Sequence, residues 1–126
     1  MKDDRKTTGR RGEDEACAFL IKEGHTILER NFRSSHQEAD IISADSAGLH
    51  FVEVKTRNAP TSAEPESNVD RAKMKNMVKT ARSYLHSCNR PQMADMEIFF
   101  DVVTVVLEGE KVTLEYYPQA FIPTYV

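Results

Sequence analysis

Glu38-Ala39-Asp40-Ile41-Ile42-Ser43-Ala44, Asp45-Ser46-Ala47-Gly48 and Leu49-His50-Phe51-Val52-Glu53-Val54-Lys55-Thr56-Arg57 form the stretch on which the fold turns. Its middle four residues have turn chemistry and nothing apolar larger than Ala. Ile41 and Ile42 precede them, and Phe51, Val52 and Val54 follow, which are residue types that strands favour. The stretch predicts an antiparallel hairpin with strands over 39–44 and 49–56. If Ala44 and Leu49 close a four-residue loop, Asp40 falls opposite Glu53, and Glu38 opposite Lys55. Opposed residues share a face, with Cβ atoms about 4.5–5.5 Å apart. Alternation separately sets Glu53 and Lys55 on one side of their strand, and His50, Val52 and Val54 on the other. One face is thus expected to gather Glu38, Asp40, Glu53 and Lys55.

Such a gathering has a cost. Two carboxylates about 4–5 Å apart repel by roughly 3–4 kcal/mol at an effective dielectric near 20. A lysine offsets part of this, and a divalent cation offsets all of it. Oxygen ligands select hard ions such as Mg²⁺ or Mn²⁺. A lysine two residues past a ligand can hold a water beside the metal, which suits attack of water on a phosphodiester. Taken alone, Asp-x(12)-Glu-x-Lys is more often the spacing of a cross-strand salt bridge on a solvated face.

Working outward, residues 10–24 predict a helix, with Ala16, Cys17, Leu20 and Ile21 as its apolar stripe and Gly24 as its stop. Thr26 to Phe32 predicts a strand before the hairpin. Arg57 to Asn68 turns to Pro, Ser, Thr, Ala and Glu, the composition of a mobile loop. A second helix is expected next, capped by Ser67 or Asn68 and burying Met74, Met77, Val78, Ala81, Tyr84 and Leu85. Asn89 to Met93 is a connector, Glu97 to Leu107 the longest apolar strand, and Val112 to Tyr117 a final strand. The expected divisions are a flexible N-terminus (1–8), one domain (9–117) and a C-terminal tail (118–126).

The chain has 126 residues, 40% of them hydrophobic, enough for a single core. No apolar run approaches the roughly 18 residues of a membrane span, and the charged start leads into no apolar segment, so a cytoplasmic protein without membrane contact is expected. Cys17 and Cys88 lie in no metal or disulfide pattern. The net charge is −3, but it is polarised. Lys2, Arg5, Lys6, Arg10 and Arg11 against Asp3 and Asp4 leave the first twelve residues positive. Arg71, Lys73, Lys75, Lys79, Arg82 and Arg90 against Asp70 make a second basic segment, and the chain beyond it is acidic. Such polarity steers a polyanion.

Further residues tie these pieces to a known family. Gly9-Arg10-Arg11-Gly12-Glu13, Ala16, Phe19-Leu20, Ile27-Leu28, Asn31, Arg33 and the two hairpin strands resemble the YraN-like uncharacterised protein family. Lys73, Ala81, Tyr84-Leu85 and Asp101-Val102-Val103 extend the resemblance, which covers roughly residues 9–106. That family is similar to the restriction-endonuclease-like superfamily and, within it, to archaeal Holliday-junction resolvases. The resemblance implies an α/β fold with an αβββαβ core, a mixed sheet flanked by helices, here with one extra C-terminal strand. It implies that Asp40, Glu53 and Lys55 fill a PD-(D/E)xK nuclease motif and that Glu13 adds a helix-borne acid to a Mg²⁺ or Mn²⁺ site. This chain departs from the family at Gln37, where Gly is usual, in the loop after Arg57, and at Phe99, where Arg is common.

Arg10, Arg11 and Arg57 are candidates for phosphate contact, since Arg makes bidentate bonds. Lys73 and Lys79 would extend that track, although solvated helix faces explain them equally. Asp101, in an otherwise apolar strand, needs a partner such as a backbone amide or a cation. Glu38 and Asp101 are expected in supporting roles. The expectation is a Mg²⁺-dependent endonuclease-like protein that cleaves or binds structured, branched DNA, conceivably as a homodimer. The alternative is a non-catalytic nucleic-acid-binding module that keeps the nuclease fold.

Overall fold

The computed structural model describes residues 4–60, 69–87 and 95–121. Elements follow in the order α1 (Asp4–Lys22), β1 (Thr26–Ser34), β2 (Gln37–Ala44), β3 (Leu49–Asn58), α2 (Arg71–Ser87), β4 (Ile98–Glu108) and β5 (Lys111–Tyr117). This is the αβββαβ order with one added strand. The five strands form one mixed sheet in the order β1-β2-β3-β4-β5, parallel only between β3 and β4, which α2 connects.

Strand alternation divides the core in two. Ile41, Val52, Val103, Val105 and Leu107 pack with Ala16, Cys17 and Leu20 of α1. Ile42, Phe51, Phe100 and Val102 pack with Met77, Ala81 and Tyr84 of α2. The sheet is therefore covered on both faces, which explains why β4 reads as a continuous apolar run.

Several boundaries differ from expectation. Helix α1 begins at Asp4, so residues 4–8 are helical rather than a flexible leader. Ile21 is 58% exposed, because it lies about 100° around the helix from buried Leu20. The cap of α2 is Asp70, not Ser67 or Asn68: its Oδ1 accepts the Lys73 N–H at 2.8 Å. The proposed caps, most of the 57–68 loop and all of the 89–93 connector lie outside the described residues. Residues 118–121 are no loose tail. The Ala120 N–H donates to the Phe100 carbonyl, and Phe121 stacks on Phe100 at 4.9 Å.

Two glycines set the geometry around the site. Gly24 (φ +99°) closes α1 with the Gly24 N–H on the Ile21 carbonyl and the His25 N–H on that of Leu20, a Schellman pattern. At Gly12 a Cβ would meet Thr56 Oγ1 at 1.9 Å, so only glycine lets α1 lie this close to β3.

Candidate metal and nucleic-acid site

The hairpin register is the expected one as far as it extends. Ala44 pairs with Leu49, Ser43 with His50, Ile42 with Phe51 and Ile41 with Val52. The described ladder ends there, while β3 continues beside β4 as far as Asn58. The strands part at Asp40, whose Oδ2 accepts the Val54 N–H at 2.8 Å. A strand N–H points in the plane of the sheet, so this carboxylate occupies the gap between β2 and β3.

Glu53 reaches Asp40 closely enough to hydrogen-bond it, and Glu13 of α1 adds to the negative field there. Burial and these two carboxylates, in the order burial, Glu53, Glu13, push the Asp40 carboxyl up to about 7, against the opposing pull of the Val54 N–H. Glu13 is held from its other side: Asn31 donates to its Oε1 at 3.0 Å, and Arg30 lies 3.6 Å away. Asn31 adopts φ +54°, a left-handed conformation Asn tolerates better than most residues. The cation beside Glu53 is Lys73, with Nζ 3.1 Å from Oε1. Lys73 was expected only as part of a phosphate track. Lys55 lies partly buried two residues beyond Glu53, on the same face of β3 by alternation.

Glu38 departs from expectation. The described β2–β3 ladder stops short of it, and it pairs with Arg33 of β1, in register and at 3.4 Å between charged atoms. Arg10 lines a groove of about 500 Å³ with Lys6, Glu13, Arg30 and Arg33. Arg57 lines a second groove, of about 420 Å³, between α1 and the end of β3. Glu13 borders both. Lys79 is exposed on α2, and Arg11 is partly buried on α1.

Asp101 is fully buried and has the partners its burial demands. Its Oδ1 accepts the Gln119 N–H at 3.0 Å, and its Oδ2 accepts the Tyr116 hydroxyl at 2.5 Å and faces His50 Nδ1 at 2.6 Å. Burial, then the Asp101 hydrogen bond, drives the Tyr116 phenol far above its ordinary value. Phe99 stacks on the His50 ring at 4.9 Å. Sequence reasoning found Asp101 but not its partners, because His50, Tyr116 and Gln119 are linked to it only by strand pairing and the turn after β5.

No helix among the described residues is long and apolar enough to cross a membrane. Residues 12–105 match the Uncharacterised protein family UPF0102. A UPF0102 protein of Bacteroides thetaiotaomicron is 36% identical over 115 residues, covering 91% of this chain and 92% of its own. One from Koribacter versatilis is 41% identical over 119 residues, covering 91% and 79%. Among solved structures, Archaeoglobus fulgidus Hjc, described as a Holliday junction resolvase from an archaeal hyperthermophile, is similar with a TM-score of 0.49 and 16% identity. That likeness covers 86% of this chain and 73% of the other. The match across 12–105 and the full-length relatives together make this chain a member of UPF0102, the YraN-like family.

Proposed function

We propose that this protein is a divalent-metal-dependent endonuclease that acts on structured, branched DNA. The observation that supports this reading is the Asp40–Glu53 carboxylate pair beside the β2–β3 gap, with Asp40 raised to about 7 and Glu13 adding to the negative field. Carboxylates packed until one of them retains a proton near neutrality form a site that a cation stabilises. All three donors are oxygens, which fits Mg²⁺ or Mn²⁺.

In this reading Asp40 and Glu53 hold the ion and Glu13 completes its ligand set. When bound, the ion supplies Lewis-acid polarisation of a phosphate and a more acidic water. Lys55, following Glu53, orients that water or meets the charge that develops on phosphate. Lys73 neutralises Glu53 when no cation is present. Arg10 and Arg57, in the grooves on either side of Glu13, grip the flanking phosphates, with Arg11 and Lys79 farther out. A symmetric dimer would address both strands of a junction, and β5, at the end of the sheet order, has the outer edge for such pairing.

The test is cleavage of a four-way junction by purified protein with Mn²⁺, beside Asp40→Ala. Nicking by the wild type and none by the variant is the expected result. Equal nicking by both overturns the assignment. Binding without nicking by the wild type favours the non-catalytic reading, which the net charge of −3 also suits.

A further inference from the structure

A second cluster lies away from the carboxylates. His25 follows the glycine stop of α1, Asp45 opens the β2–β3 loop, and His50 is the second residue of β3. His50 lies on the strand face opposite Glu53. The Asp45 carboxylate stands before both rings, with His50 Nε2 2.8 Å from Oδ1 and His25 Nε2 3.4 Å from Oδ2. One ligand atom from each of the three residues lies within 4.8 Å of the others.

The far side of each ring is already engaged. His50 Nδ1 faces Asp101 Oδ2 at 2.6 Å, and His25 Nδ1 faces Ser43 Oγ at 2.8 Å. Asp101 is saturated with donors, so Nδ1 of His50 carries its hydrogen toward that carboxylate. In neutral His50 the lone pair then sits on Nε2 and points at the Asp45 carboxylate, two electron-rich atoms at contact. Either a second proton on His50 or a metal ion lies between them. Protonating both rings would set two imidazolium ions with centroids 4.5 Å apart. A single metal ion in place of that proton would engage all three groups at once, as their spacing allows, and the fully buried Ser43 hydroxyl can accept from His25 Nδ1 to release its Nε2. A carboxylate or hydroxyl behind each ligating ring is the arrangement that orients metal-binding histidines.

Asp45 is preset as well. Its Oδ1 accepts the Ala47 and Gly48 N–H groups, and its side chain is 21% exposed, which leaves an approach from solvent. Two imidazoles and one carboxylate suit a borderline transition ion of the zinc class rather than Mg²⁺.

The geometry points to a second metal site in which His25, Asp45 and His50 bind one zinc-class ion, joining the α1–β1 turn, the β2–β3 loop and β3. It stands independently of the nuclease reading. The experiment is a Zn²⁺ titration of the metal-free full chain by calorimetry, with ¹⁵N chemical shifts of the histidine rings in the wild type. One equivalent of Zn²⁺ should shift Nε2 of His25 and His50 and leave His36 and His86 unmoved. His25→Gln should abolish this uptake, Asp101→Asn should weaken it about 10–100-fold through ring orientation, and Glu53→Gln should leave it intact. No uptake by the wild type, unmoved His25 and His50 resonances, or uptake that vanishes in Glu53→Gln but persists in His25→Gln overturns the proposal.

Discussion

At Asp40, burial and the neighbouring Glu53 carboxylate both oppose ionisation, so the metal-free folded chain keeps a proton there up to about pH 7, against 3.8 for an ordinary Asp. Because the folded value is the higher one, this group's contribution to stability is complete below 3.8 and is lost as pH rises through about 7. His50 contributes with the same sign from a base of 6.5: burial lowers it, but its bonds to Asp101 and Asp45 outweigh that. Thermal melts of metal-free protein against pH should therefore show falling stability toward alkaline pH, and Asp40→Asn should remove the Asp40 part of the slope. An unchanged slope in the variant would assign the whole effect elsewhere. The Asp101 cluster makes a simpler expectation. Tyr116→Phe leaves a fully buried carboxylate short of one donor and should cost about 1–3 kcal/mol in denaturant unfolding. A loss near zero would mean that the remaining bonds suffice.

Helix α1 matters through its distance from β3. Gly12 lets the helix close on Thr56, and the next residue, Glu13, thereby reaches the field of Asp40. Gly12→Ala should cost about 1–3 kcal/mol by forcing the elements apart. Thr56→Ala in the same chain removes Oγ1 and Cγ2, two of the three clashing atoms, and should recover part of that loss. Additive effects in the double variant would show that the close approach is not the cause. The same elements show what could be read beforehand. The hairpin, its register as far as Ile41–Val52, the α2 stripe and the α1 stripe apart from Ile21 are legible because periods of two and 3.6 residues are local properties. The parting of β2 from β3 is not, since the Asp40 side chain takes the Val54 N–H where the β2–β3 ladder would have continued, while the other edge of β3 stays on β4. The Asp70 cap was missed because three capping residue types crowd positions 67–70, and only the structure selects among them.

Over the whole molecule, charge segregation matters more than the net −3. Arg10 with Lys6, Arg30 and Arg33 gathers positive charge in one groove beside the carboxylates, while residues 91–126 carry six acids against Lys111 alone. DNA affinity should fall with log[salt], and Arg10→Ala should reduce the steepness of that slope by about 0.9 if Arg10 neutralises one phosphate. An unaltered slope would remove Arg10 from the interface. The family resemblance supplied the four-residue site as a set, whereas spacing alone linked Glu38, Asp40, Glu53 and Lys55 and left Glu13 out. The histidine cluster offered no signal, because His25 and His50 meet only when α1, β2 and β3 assemble. The claim on which the functional reading rests is that Glu13, Asp40 and Glu53 hold a hard divalent cation. Calorimetric titration with Mg²⁺ tests it most directly: binding by the wild type and by His25→Gln, with none by Glu53→Gln, is the expected outcome. Wild-type affinity retained in Glu53→Gln, or no Mg²⁺ uptake by the wild type, would contradict it.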